Sequence, residues 1–328
     1  MKKLPIDGFL IALALAVAAA FVWPELGAKN GYLRLDLVTS YGLSVVFFLY
    51  GLNLAPERMR QGLGRWKVHL IVVLTTFVVF PIVVLALEKL VPGVFPLPVL
   101  IGFFYVAALP STVSSAVAMT SMAHGNVPAA IFNATLSSLL GVFITPALMV
   151  WYLSNSPAES IPLLPTIGKV VLLVVLPIVV GQLLRPFALS FVKRWSHIVK
   201  YADRAIIVAI VYSTFCDSYL AGIWSRYDLQ LIAEIIAGVL VLFWLVFGIA
   251  VLLCKLLRLD LADQIAASFC GVNKSLATGV PLAPLFFADQ PEIGLIIVPL
   301  MMFHISQLVI ISFLAGRYGR RAAAAAQA

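Results

Sequence analysis

Long apolar stretches separated by short polar segments dominate the chain. Each stretch is long enough for an α-helix that crosses the roughly 30 Å hydrocarbon core of a bilayer, which takes about 20 residues. Ten such stretches lie at residues 8–24, 36–54, 68–88, 97–123, 127–153, 163–188, 202–224, 230–256, 262–287 and 292–316. The pattern predicts an all-α integral membrane protein with ten transmembrane helices.

The composition supports this prediction. Of the 328 residues, 62% are hydrophobic and 11% are charged, whereas soluble domains have roughly 45–50% apolar and about 25% charged residues. The polar segments are too short for a soluble catalytic or DNA-reading domain, so we expect membrane lipid and no nucleic acid among the partners. The net charge of +8 therefore bears on membrane orientation.

The positions of Lys and Arg predict that orientation, because cytoplasmic loops retain an excess of both. With the N-terminus inside, sixteen basic residues fall on inner segments and five on outer ones. Both termini are therefore predicted to be cytoplasmic. Cys216, Cys254 and Cys270 lie in or beside apolar stretches, which does not suggest a disulfide framework.

Ten helices divide into two sets of five, and an odd number per half inverts the second half relative to the first. The predicted repeats are residues 1–158 and 159–328. Helices 4 and 9, in matching places, are interrupted by polar residues, Pro and Gly, with breaks predicted at Pro110, Gly271, Gly279 and Pro281. Matched interruptions of this kind indicate the midplane site of a secondary transporter. The chain as a whole is predicted to be one transporter unit.

Lys274 is the most informative single residue. It lies about 12 residues, or about 18 Å of helix, from either end of its apolar stretch, too far for its side chain to reach the membrane surface. A lysine at this depth costs at least about 2.5–3.5 kcal/mol and usually lines an ion or substrate path. Asn273 and Ser275 flank it. A purely structural tether to the carbonyls of the broken helix is the alternative.

Two further polar pairs are candidates for the same cavity. His304 and Gln307 share one face of helix 10, and Asn133 and Ser137 share one face of helix 5. Polar groups between membrane helices also serve as interhelical hydrogen bonds alone. The four histidines form no zinc-protease spacing, so we predict no enzyme; a channel or a regulator of ion homeostasis is the alternative to a transporter.

Four strings in the chain are typical of one family: Val113-Ser114-Ser115-Ala116-Val117, Gly125-Asn126, Ala129-Ala130-Ile131-Phe132-Asn133 and, above all, Phe269-Cys270-Gly271-Val272-Asn273-Lys274-Ser275-Leu276-Ala277. They resemble the bile acid:sodium symporter superfamily, in particular the sodium/bile acid cotransporter 7 branch and its bacterial relatives. The resemblance spans essentially the whole chain.

The resemblance implies two inverted five-helix repeats arranged as a panel and a core domain, with discontinuous helices 4 and 9 crossing. It also implies alternating access to an organic anion, either bile acid- or steroid-like or a small carboxylate, in a bacterial-type inner membrane. We expect a monomer without an organic cofactor. The positions that match cation ligands of sodium-coupled members are Thr76, Ser114, Ser115, Asn133, Asn273 and Ser275.

One departure from that family bears on coupling. Sodium-coupled members have a Glu in the helix 9 break, whereas this chain has Lys274 and no acidic residue between Asp263 and Asp289. Two sodium ions beside an ammonium in a low dielectric would be strongly disfavoured. The sequence leaves open a uniporter, an exchanger, a proton-coupled carrier, or one weak Na⁺ site formed by Ser114, Ser115, Asn133 and Asn273.

Overall fold

The computed structural model describes residues 8–53, 64–155, 168–194, 196–287 and 290–325. Every regular element in these ranges is helical. The α-helices are α1 (Gly8–Val22), α2 (Pro24–Gly27), α3 (Leu35–Asn53), α4 (Trp66–Leu74), α5 (Phe80–Leu90), α6 (Leu97–Ala108), α7 (Ser114–Met122), α8 (Val127–Ser154), α9 (Leu176–Arg194), α10 (Ser196–Leu220), α11 (Leu229–Leu256), α12 (Leu261–Val272), α13 (Leu276–Phe287) and α14 (Ile293–Ala325). Two π-helical segments precede α5 and α9, π1 (Thr75–Val79) and π2 (Val171–Val175).

Within the described residues, five continuous helical stretches are long and apolar enough to cross a membrane. They are Trp66–Leu90, Val127–Ser154, Gly168–Ala188, Leu229–Leu256 and Ile293–Arg320. Their length and composition confirm an all-helical membrane protein. The count of ten spans and the inverted repeat stay predictions.

Both predicted interruptions are present. The first break, residues 109–113, separates α6 from α7, and the second break, residues 273–275, separates α12 from α13. The second is narrower than predicted, because Gly271 lies in the last turn of α12 while Gly279 and Pro281 lie inside α13. The helix restarts early because the Ser275 side chain accepts a hydrogen bond from the Thr278 amide, which caps the new N-terminus.

The chain forms two compact units that alternate along the sequence. Unit 1 is Met1–Leu54, Pro162–Leu229 and Gly279–Ile297; unit 2 is Ala55–Ile161, Gln230–Thr278 and Val298–Ala328. These units differ from the predicted repeats, residues 1–158 and 159–328, because the units are defined by contacts and the repeats by internal symmetry. The repeats stay a prediction.

In unit 1, α3 and α9 pack backbone against backbone at two glycines. A Cβ atom on Gly51 would collide with the Ile178 carbonyl, and one on Gly181 would collide with the Phe48 carbonyl. The Gln182 side chain donates to the Gly51 carbonyl. Only glycine at both positions allows this approach of the two helices.

Unit 2 holds both helix breaks. At one end of the unit, the Asn126 side chain caps α8 by accepting from the Ala129 amide and donates to the Asp263 carboxylate at 2.6 Å. Arg65 lies 3.3 Å from the same carboxylate. These contacts join the N-terminal ends of α8 and α12, which positions the second break within the unit.

Candidate functional site

The Lys274 ammonium is held in a cage of main-chain oxygens. Its Nζ donates to the carbonyls of Thr76, Ala107 and Leu109 at 2.8, 2.7 and 2.8 Å. The Phe80 ring lies 4.1 Å from Nζ, which adds a cation–π contact. The side chain is fully buried, with 0% exposure. Three charge-assisted hydrogen bonds, worth about 1.5–3 kcal/mol each, offset the cost of a buried lysine, which is at least about 2.5–3.5 kcal/mol.

The Thr76 carbonyl can accept from the ammonium because π1 and Pro81 leave it without a hydrogen bond inside its own helix. In π1 the Phe80 amide donates to the Thr75 carbonyl, five residues earlier. The next amide in this register would belong to residue 81, and proline has no amide hydrogen. The Thr76 carbonyl therefore has no helical donor, and the ammonium takes that place.

The other two carbonyls lie in the last turn of α6 and at the start of the first break. Ser111 would supply the helical partner of the Ala107 carbonyl, but its amide donates to the Ser137 hydroxyl at 2.9 Å. Pro110 has no amide hydrogen for a carbonyl one turn earlier. The Ala108 carbonyl accepts from the Thr145 hydroxyl at 2.7 Å. The end of α6 thus presents carbonyls, the negative end of its dipole, to the ammonium.

The two breaks are bonded directly to each other. The Ser275 amide donates to the Pro110 carbonyl at 2.9 Å, and the Ser111 hydroxyl donates to the Cys270 carbonyl at 2.7 Å. These bonds satisfy polar groups that helix interruption would otherwise leave unpaired in an apolar surrounding.

Gln307 holds the main chain of Lys274. Its Oε1 accepts from the Lys274 amide at 2.7 Å, and its Nε2 donates to the Lys274 carbonyl at 2.8 Å. The same Nε2 lies 2.8 Å from His304 Nδ1, and that Nδ1 lies 3.4 Å from the Lys274 carbonyl. A single α14 face therefore supports the residue whose ammonium fills the cage.

The structure brings four of the predicted site residues into one hydrogen-bonded group, Thr76, Lys274, His304 and Gln307. Ser275, the next residue in the chain, bonds to Pro110 and Thr278 instead. Thr76 takes part through its carbonyl, while its hydroxyl donates to the Gly271 carbonyl at 3.2 Å. Both oxygens of Thr76, a predicted cation ligand, thus already take part in hydrogen bonds within the protein.

The remaining predicted residues lie elsewhere or are otherwise engaged. Asn133 contacts His69 Nδ1 at 3.1 Å and the Ala129 carbonyl at 2.8 Å. Ser114 is exposed at the start of α7, and the Ser115 hydroxyl bonds to Thr112. A cation site shared by Ser114, Ser115, Asn133 and Asn273 therefore stays a prediction.

Asn273 is the exception among these residues, because one of its polar atoms is still available. Its Nδ2 donates to the Phe269 carbonyl at 2.8 Å, and its buried Oδ1 has no partner among the residues that the structure describes. The buried Thr75 hydroxyl oxygen likewise has no hydrogen-bond partner among the described residues. Both oxygens lie close in sequence to the residues of the cage.

Several residues of this site were not predicted. Ser111, Thr145 and Phe80 each contact the breaks or the ammonium. Pro81, inside an apolar stretch, is the signal that points to a freed carbonyl one turn earlier. Nothing in the sequence pattern marks Thr145 or Phe80, since both residue types are common in membrane helices.

Comparisons with known proteins show the family to which the chain belongs. The SBF-like CPA transporter family matches residues 7–320. An uncharacterized protein of Pseudomonas aeruginosa is 36% identical over 315 residues, which cover 96% of this chain and 93% of the relative. The Escherichia coli protein named "Putative symporter YfeH" is 35% identical, with 96% and 94% covered. Sodium/bile acid cotransporter 7 of Xenopus tropicalis is 31% identical, with 96% and 92% covered. The chain is thus an integral membrane protein that belongs to the SBF-like CPA transporter family.

Proposed function

We propose that the protein is a secondary active transporter that moves an organic anion across the membrane by alternating access. Membership of a transporter family and the names of its relatives support this proposal. The proposal includes ten spans as two inverted repeats, cytoplasmic termini, a monomer surrounded by lipid and a bacterial inner membrane.

The observation that carries the proposal is the caged ammonium of Lys274. Three carbonyls at 2.7–2.8 Å are the kind of ligands that a bound alkali cation receives. A covalently attached cation at the meeting point of two broken helices holds them together without an ion from solution. The cycle of this carrier therefore does not need bound sodium.

The size of the repulsion supports the same conclusion. At an effective dielectric constant of about 20, a sodium ion about 6 Å from the ammonium would be disfavoured by about 3 kcal/mol. That is a loss of about 100-fold in affinity. The ammonium would repel each of two sodium ions in this way, and the two ions would also repel each other.

The charge at the breaks favours an anionic substrate. The carbonyls hold the Lys274 ammonium by hydrogen bonds, but no carboxylate neutralises it among the described residues of the two breaks. The start of α7, with Ser114 exposed and no side-chain cap, adds the positive end of a helix dipole. Bile acid-like anions and small carboxylates both fit this charge, and the relatives' printed names favour testing bile acids first.

A thermal-shift screen followed by uptake tests the proposal. Purified protein is heated with a panel of bile acids, steroid sulfates and small carboxylates, with and without Na⁺. A substrate should stabilise the protein by mass action, by about 2.7 kcal/mol at 100 times its Kd. Its uptake into proteoliposomes should change little when choline replaces Na⁺. Steep Na⁺ dependence with a Hill coefficient near two would contradict the substitution of sodium by Lys274, and a panel without binding or uptake would contradict the anion carrier.

The membrane orientation has its own test. Single cysteines at Arg60, Lys193 and Arg320 should react with impermeant reagents from the cytoplasm, and single cysteines at Glu159 and Asp289 from outside. The native cysteines Cys216, Cys254 and Cys270 are buried, which keeps the background low. Labelling of any one position from the opposite face would overturn the ten-span arrangement.

A further inference from the structure

The orientation of the Gln307 amide is determined by Lys274. Oε1 accepts from the Lys274 amide, and Nε2 donates to the Lys274 carbonyl. Turning the amide over would place its NH₂ against the Lys274 N–H and its oxygen against the carbonyl, and both hydrogen bonds would be lost. Nε2 is therefore the atom that lies 2.8 Å from His304 Nδ1.

This orientation determines the protonation state of His304. An amide nitrogen only donates, so His304 Nδ1 has to accept, and the ring is neutral with its proton on Nε2. A proton added at Nδ1 would oppose the Gln307 NH₂ group. It would also be able to donate to the Lys274 carbonyl, 3.4 Å away, a bond that the neutral ring does not make.

His69 offers a matched contrast in the same unit. It also contacts a side-chain amide, that of Asn133, at 3.1 Å. Asn133 Nδ2 donates to the Ala129 carbonyl, so Oδ1 faces the ring and His69 Nδ1 donates to it. A second proton on His69 would go to Nε2 and leave this bond intact. Protonation is therefore incompatible with the Gln307 contact of His304 but compatible with the Asn133 contact of His69.

The helices around His304 place few charges in its neighbourhood. Phe303 contacts Phe80 and Phe243, and Ser312 and Tyr318 contact Met119 and Phe269, so α5, α7, α11 and α12 pack against α14. The titratable groups in the described residues of these helices and α14 are Glu88, Lys89, Glu234, Cys254, Lys255, Asp263, Cys270, Arg317, Tyr318 and Arg320. The three carboxylates lie near helix ends. His304 Nδ1 lies 3.4 Å from the main-chain carbonyl of Lys274, a residue of the second break.

We infer that His304 is the proton-binding residue of this carrier, and that its protonation displaces the Gln307 amide from the Lys274 main chain and loosens the second break. This inference rests on the proposed function and deepens it, because it makes the proton the coupling ion. A protonated His304 beside Lys274 adds positive charge that a bound organic anion balances. Proton and anion therefore promote each other's binding, as linkage requires.

Hydrogen exchange at Lys274 tests the switch without a substrate. Its amide donates to Gln307, so a peptide covering residues 273–275 reports the state of the contact. In lipid nanodiscs, after correction for the chemical exchange rate, the wild-type amide should exchange about tenfold faster at pH 5 than at pH 8, the effect of losing one hydrogen bond. His304→Gln keeps a neutral acceptor and should lose this pH response. His69→Gln, the matched control, should retain it.

Histidine NMR on the wild-type protein provides a second measurement that does not depend on variant folding. With four histidines in the chain, ¹⁵N labelling at pH 8 should show the Nε2–H tautomer for His304 and the Nδ1–H tautomer for His69. An Nδ1–H tautomer of His304, a pH response retained in His304→Gln or a response lost in His69→Gln would each overturn the switch. None of these results depends on transport. Failure of the switch can therefore be distinguished from failure of the proposed anion uptake.

Discussion

The two helix breaks lie in one compact unit, are joined by hydrogen bonds and differ in almost every other respect. The first break, residues 109–113, carries no charge and offers carbonyl acceptors, with Ser137 and Thr145 satisfying its neighbouring polar groups. The second break, residues 273–275, supplies the ammonium and has its main chain held by Gln307. The first break therefore provides hydrogen-bond acceptors, whereas the second break provides a cation that is covalently attached to the chain.

The helices that restart after the breaks differ in the same way. Ser275 caps α13 through the Thr278 amide, whereas α7 has Val113 at its N-cap, no side-chain cap and an exposed Ser114. The second break is closed by the protein, while the first leaves a positive helix end open. Matched interruptions of two helices can thus serve opposite purposes, one binding the internal cation and the other facing an external anion.

Removing the tethered cation should have the largest effect. Lys274→Met leaves three buried carbonyls without a donor, at about 1–3 kcal/mol each, and takes away the charge that attracts the substrate. We expect uptake of the stabilising anion into proteoliposomes, measured per amount of folded protein, to fall by at least about 100-fold, the equivalent of about 3 kcal/mol. Lys255→Met, at an exposed helix end, is the control. Full activity of Lys274→Met would show that the two breaks do not need the ammonium.

Reversing the charge tests whether the cage is a cation site that Lys274 occupies. Lys274→Glu restores a carboxylate at the break and leaves the carbonyls of Thr76, Ala107 and Leu109 free for an ion. Uptake by this variant should become dependent on Na⁺, whereas uptake by the wild type should change little when Na⁺ is replaced. Uptake is measured with Na⁺ or choline outside the vesicles. A variant that is active and equally indifferent to Na⁺ would argue against substitution of sodium by the lysine.

Gln307→Leu should have the next largest effect, because it removes both hydrogen bonds to the Lys274 main chain. A buried amide and a buried carbonyl lose their partner, which we expect to cost about 2–3 kcal/mol of stability and to lower uptake by about 10- to 100-fold. Gln230→Leu is the matched control, since Gln230 is exposed and bonds only to Glu234 on the surface. Equal loss of thermal stability in both variants would show that the Gln307 contacts contribute nothing specific to the second break.

The sequence indicates the breaks but not the cage. Pro110 and the polar residues around Lys274 can be recognised because they interrupt apolar stretches. A charged residue in the middle of such a stretch is equally easy to recognise. The partners of the ammonium are main-chain carbonyls of Thr76, Ala107 and Leu109, which carry no side-chain signature. Which helix faces meet is equally absent from a one-dimensional pattern.

Asn133 shows the same limit. Its position on helix 5 was readable, but its pairing with His69 depends on the rotation of two helices about their axes. The exact ends of the second break depended on a cap, Ser275, that a sequence with Gly279 and Pro281 nearby does not single out.

The smallest effect concerns the caps and compares the two breaks directly. Ser275→Ala removes the acceptor for the Thr278 amide and should cost about 1 kcal/mol of stability, as loss of a helix cap usually does. Ser114→Ala, at the exposed start of α7, should change stability by less than about 0.5 kcal/mol. Thermal unfolding in one detergent measures both variants. If Ser114 lies on the substrate path, its variant instead raises the KM for the anion while its melting temperature stays that of the wild type. Equal destabilisation by the two substitutions would mean that α7 is capped as firmly as α13, and the difference between an open and a closed break would not hold.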